Sequence, residues 1–158
     1  MKNILWMPIA VAAVACGASS SPSSPSGPQL LVAGTYDIRK TVTVDTCGLS
    51  RPGDSFTNPA EVRHTAGASA FVLNDHGTRD LPGTVAANGS FTLANASSVV
   101  MNTIPALDVW TGGRFTTQGF EVTDTTELQS TPGGGPACRV VATWVATKQG
   151  TPNVIPTT

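Results

Sequence analysis

"TYDIRKTVTV", residues 35–44, decides the reading of the fold. Tyr36, Ile38, Val42 and Val44 share one parity, and Asp37, Arg39, Thr41 and Thr43 share the other. Such alternation marks a strand with one face in a core and the other in water. Lys40 interrupts the apolar face, so the pattern is obeyed imperfectly.

The same period recurs downstream. "AEVRHTA" sets Val62 against Glu61 and Arg63, and "SAFVLND" reads as a strand closed by a turn at Asn74-Asp75-His76-Gly77. Asn88-Gly89 is a strong hairpin signal, followed by Phe91 and Leu93 in alternation with Ser90 and Thr92. "SSVVMNTI" reads as a strand ended by Pro105, and "LDVWTGGRFTT" as two arms around Gly112-Gly113. "GFEVTDTTEL" alternates Phe120 and Val122 with Glu121 and Thr123. "CRVVATWVATK" sets Val140, Ala142 and Trp144 against Arg139, Thr143 and Thr147. No segment has a capped helical period. About eight or nine short strands with tight turns predict an all-β antiparallel meander, a closed barrel or else a β-sandwich.

The three cysteines sharpen the choice. Cys47 ends the first strand and Cys138 begins the last. In a closed meander with an even strand count, those strands are antiparallel neighbours. The end of one then lies beside the start of the other. A Cys47–Cys138 disulfide therefore favours closure, because the Cα atoms of a disulfide must lie within about 7 Å. A sandwich could also bring the two together. Neither cysteine belongs to a Cys-x-x-Cys pair, and no neighbouring His supplies a second ligand, so a metal or catalytic thiol is not expected.

Cys16 is left over, and its flanks explain it. Lys2 precedes an apolar run from Ile4 to Val14, which is a signal-peptide pattern and falls short of the roughly 20 residues of a membrane span. Ala13-Val14-Ala15-Cys16 resembles the lipobox of bacterial lipoproteins, with Ala13 where that family usually has Leu. The resemblance implies a Cys16 bearing diacylglycerol and an amide-linked acyl chain such as palmitate. Several chains on one residue suffice for stable anchoring. Ala13-Val14-Ala15 also fits an ordinary A-x-A cleavage site. "GASSSPSSPSGP", residues 17–28, has too little apolar surface to fold and reads as a tether. Within the lipoprotein resemblance, the absence of Asp at position 17 implies sorting to the outer membrane. The expected organisation is signal peptide 1–15, lipidated Cys and tether 16–28, β-domain 29–149 and a flexible tail 150–158.

Composition narrows the partners. Charged residues are 12% of the 158, and the formal net charge is −1. No basic stripe exists to neutralise phosphates, so nucleic acid is not an expected partner. Gly34-x-Tyr36 at the head of the first strand is similar to the Gly-x-Trp that opens lipocalins and the Gly-Thr-Trp of avidins. That similarity implies an eight-stranded barrel holding a small ligand at one end. It also makes Arg139, on the last strand, a candidate for the arginine that packs on the lipocalin tryptophan.

Chemistry is sparse. His64 and His76 read as edge or solvated residues, and no Gly-x-Ser-x-Gly elbow is present. "NDHGTRD" reads as a tight turn; it lacks the ligand register of an EF-hand calcium loop. No cofactor, metal or catalytic residue is expected. The first functional expectation is a non-enzymatic, lipid-anchored envelope domain that binds a small apolar ligand, with Tyr36, Trp110 and Trp144 as candidate contacts. The second is a filled sandwich that docks an envelope protein, with Trp110 as the contact. A hydrolase comes third.

Overall fold

A computed structural model describes residues 29–100, 103–130 and 137–157 of the chain. The signal segment, Cys16 and the tether lie outside the described residues. Nine strands follow in order: β1 (Gly34–Asp45), β2 (Ser55–His64), β3 (Ala70–Asp75), β4 (Arg79–Val85), β5 (Ser90–Leu93), β6 (Ala96–Val100), β7 (Ile104–Thr116), β8 (Gly119–Leu128) and β9 (Cys138–Lys148). All pairings are antiparallel.

The meander closes. β1 pairs with β2 on one side and with β9 on the other, and β5 pairs with β7. Eight strands thus form a closed barrel, and β6 is added on β7 alone. The sandwich alternative is set aside. An eight-stranded barrel has an interior just wide enough to fill with side chains or to hold one small ligand. Charged residues such as Arg39, Glu61 and Arg63 face outward, the opposite of the apolar belt of a membrane-spanning barrel.

Closure is sealed as the cysteine spacing predicts. Cys47 and Cys138, at a sequence separation of 91, form a disulfide with Cα atoms 5.1 Å apart. Asp45 organises the approach: its carboxylate accepts the backbone N–H groups of Cys47, Gly48 and Ser50.

One end of the barrel is filled. Tyr36, Phe71, Phe91, Phe115 and Phe120 form a ring cluster with centroids 4.8 to 5.9 Å apart. Two glycines make room for it. Gly83 stands opposite Phe71 and Gly113 opposite Phe91; a Cβ at either would come within 2.6 Å of the facing ring. The chain beyond β9 caps this end. Asn153 is 4% exposed; its Nδ2 donates to the carbonyls of Thr116 and Gly119, and its Oδ1 lies 2.8 Å from the Tyr36 hydroxyl. Leu31 and Val154 exchange backbone hydrogen bonds. Asn153, within the 150–158 stretch expected as a flexible tail, is a buried plug.

Several local expectations change. Val44 is 39% exposed because the β1–β9 register shifts between Val42 and Val44. Pro105 lies inside β7 rather than ending a strand; β6 stops at Val100, and the Thr103 N–H donates to the Val100 carbonyl. Gly112-Gly113 is a bulge within one long strand, not a hairpin. The register with β8 slips between Thr111 and Arg114, and Gly112 takes φ 68°. A left-handed glycine suits a turn or a bulge equally, and pairing with neighbours decides between them. The bulge sits where the other edge of β7 changes partner from β6 to β5. Arg139 lies opposite Glu127 near the disulfide, at the far end of β9 from Tyr36. The cation near the Tyr36 ring is instead Lys148, at 5.8 Å.

The disulfide makes a measurable claim. On the chain-entropy model, closing so long a loop stabilises by up to about 4 to 5 kcal/mol. A Cys47→Ala/Cys138→Ala variant should melt well below the oxidised protein, and a non-reduced digest should contain the linked peptide. Two free thiols in oxidatively folded protein would contradict the assignment.

Candidate functional site

The other end of the barrel is not filled. β5 lies between β4 and β7, but its continuation β6 pairs with β7 alone. The sheet therefore parts between β6 and the start of β4. A cavity of about 380 Å³ opens at this end, within the volume range of small-molecule sites. Val42, Leu49, Val100, Leu128 and Ala142 give it apolar walls, and Phe56 stands at its rim.

Charge lies within it. The alternation of β1 carries Tyr36, Ile38, Lys40 and Val42 inward, so the residue that interrupted the apolar face enters the barrel. Lys40 is 6% exposed. Its Nζ lies 2.6 Å from Asp75 Oδ2 and 3.7 Å from the centroid of the Trp144 ring. Asp75 ends β3, and its register partner across the hairpin is Arg79. Arg79 reaches across the parted sheet to Asp108 on β7, with Nη2 to Oδ2 at 2.6 Å, and stands over the Trp110 ring at 5.3 Å. Thr126 donates to the other Asp108 oxygen at 2.7 Å. Where backbone pairing is missing, this ion pair joins the two sides.

Asp124 is the member left over. It lies on β8 opposite Trp110, between Ala142 of β9 and β7. Its buried Oδ1 has no hydrogen-bond partner among the described residues. Burial, and then the nearby Asp108 charge, push its pKa up to about 7. Lys40 and Arg79 oppose that shift, and Asp75 adds to it. Asp75 Oδ1 and the indole N–H groups of Trp110 and Trp144 are also buried without partners. The two indoles meet edge to face with centroids 6.4 Å apart, at the boundary between the ring cluster and the cavity.

The three expected contact residues separate. Trp144 lines the cavity. Trp110 is buried beside it, under Arg79. Tyr36 lies at the filled end, bound to Asn153 and the Val32 carbonyl. Neither histidine lines the cavity. His64 Nε2 lies 2.8 Å from the Ala68 carbonyl, and His76 holds the β3–β4 turn at φ 57°. The acids of "NDHGTRD" face apart: Asp75 turns inward to Lys40, while Asp80 pairs outside with Arg63. Among the described residues no group of three or more His, Cys, Asp or Glu side chains could hold a metal ion.

Lys40, Asp75, Arg79, Asp108 and Asp124 were not singled out as a site by their spacing. A signal existed. Parity from Phe120 and Val122 carries Asp124 and Thr126 inward, and parity from Trp110 does the same for Asp108.

Asp124 sets a pH dependence of known sign. Its folded pKa lies above the ordinary 3.8, so between about pH 4 and 7 the folded state keeps a proton that the unfolded state has lost. The Asp124 contribution is therefore most favourable below about pH 4 and is lost as pH rises through about 7. The stability difference between Asp124→Asn and the parent should grow over that window in favour of the variant, by as much as a few kcal/mol. Urea melts at stepped pH measure it; a difference independent of pH would contradict the assignment. No family model, no curated protein and no solved structure matches the chain, so the chemistry of the cavity is read from its own atoms.

Proposed function

We propose that this domain binds a small, largely apolar ligand in the mouth of its barrel, without catalysis, while a lipid on Cys16 holds it at the bacterial cell envelope, at the outer membrane where one exists. The observation that carries the binding role is the contrast between the two ends. One end is packed with rings and plugged by Asn153; the other keeps an apolar-walled cavity of about 380 Å³ with polar groups at its base. Convergent polar groups within a mostly apolar concavity are the usual make-up of a ligand site. Support for the anchor comes from the Ala13-Val14-Ala15-Cys16 pattern and the tether after it.

The docking-module reading has less support. It needed a filled core and an exposed Trp110, and Trp110 is 6% exposed. A hydrolase would need a nucleophile activated by a base; Ser50 and Ser98 line the cavity, but neither hydroxyl is hydrogen-bonded to a base among the described residues.

The test uses N-phenyl-1-naphthylamine, an uncharged fluorescent apolar probe. Saturable binding of one probe per domain is expected, with loss in Ala142→Phe, which fills the wall. Absence of saturable binding, or binding unchanged in Ala142→Phe, would overturn the reading.

A further inference from the structure

We infer that the cavity selects an amphiphile with a protonated amine head, which sits against the Asp124 carboxylate while its apolar tail lies along Val42, Val100 and Leu128. This rests on the ligand-binding role proposed above and adds the class of ligand.

The first ground is charge matching. The base of the cavity holds two cations and three carboxylates: Lys40 from β1, Arg79 from β4, Asp75 from β3, Asp108 from β7 and Asp124 from β8. Lys40 is committed to Asp75 and Arg79 to Asp108, each at 2.6 Å. Asp108 has both oxygens satisfied. Acceptor capacity is unmet on Asp124 Oδ1 and Asp75 Oδ1. With Asp124 ionised the carboxylates outnumber the cations by one, so a ligand carboxylate would set a fourth anion against two cations, an unfavourable crowding of like charge. A ligand ammonium meets the unpaired carboxylate and breaks nothing.

The second ground is hydrogen bonding. Asp75 and Asp124 both line the cavity, and each keeps a buried carboxylate oxygen without a hydrogen-bond partner among the described residues. A cavity meant only for a hydrocarbon gains nothing from buried acceptors left unpaired, each of which costs its desolvation. An ammonium head brings donors for those oxygens.

The experiment is displacement of N-phenyl-1-naphthylamine by octylamine, octanoate and 1-octanol, with equal chains and different heads. At pH 8, octylamine should displace the probe at least tenfold more effectively than octanoate. Below about pH 7 its apparent affinity should weaken by up to tenfold per unit, because Asp124 must release a proton to pair. Asp124→Asn should remove the preference for octylamine over 1-octanol. Octanoate binding as well as octylamine, or equal displacement by all three, would overturn the head-group assignment. Failure of the probe itself to bind would overturn the underlying ligand role instead. The comparison of heads on the parent protein decides the matter even if the variant does not fold.

Discussion

Lys40 carries an ammonium group into the interior of an eight-stranded barrel, and most of the mouth end follows from accommodating it. A buried cation needs a partner, and removing one side of such a pair costs about 3–5 kcal/mol. Asp75 supplies the charge at 2.6 Å and Trp144 supplies a ring face at 3.7 Å. Asp75 is fixed at the end of β3, which in turn sets Arg79 across the hairpin. Arg79 then finds Asp108 across the parted sheet. The polar groups thus form a chain of dependence that begins at one residue of the first strand. Because that chain spans β1, β3, β4 and β7, it braces the end of the barrel where the start of β4 is not paired with β6.

The two ends divide the work. At the filled end, aromatic rings, the glycines that admit them and the Asn153 plug pack the barrel interior, and the Tyr36 hydroxyl and the Asn153 amide are hydrogen-bonded. At the open end, buried atoms remain unpaired and volume remains empty. Such incompleteness is unfavourable for the free protein, and a bound ligand that met those groups would offset it. The disulfide stands on this less well packed side, beside the small cluster of Ile104, Ala106 and Leu128. It ties together the two strands whose pairing closes the barrel.

Much of this was legible in the residues. Alternation in "GFEVTDTTEL" and "CRVVATWVATK" gave β8 and β9 with their observed bounds, and the positions of Cys47 and Cys138 foretold closure. Lys40 was visible as an irregularity, but its meaning depended on residues brought to it from 35 positions away. "TDTTE" looks like a solvent face because its residues are polar; only strand parity reveals that Asp124 turns inward. Gly112 offered a left-handed residue without saying whether a turn or a bulge would use it. Asn153 gave no local sign at all, since its role exists only where the chain end meets Tyr36, Thr116 and Gly119.

The open end of the barrel buries an unpaired carboxylate oxygen of Asp124 beside a ligand-sized space. Carbon-13 NMR of the Asp124 side-chain carboxyl, followed through a pH titration of the empty domain, tests this most directly. A titration midpoint near 7 is expected. A midpoint near the ordinary 3.8 would show a solvated carboxylate and would contradict the claim.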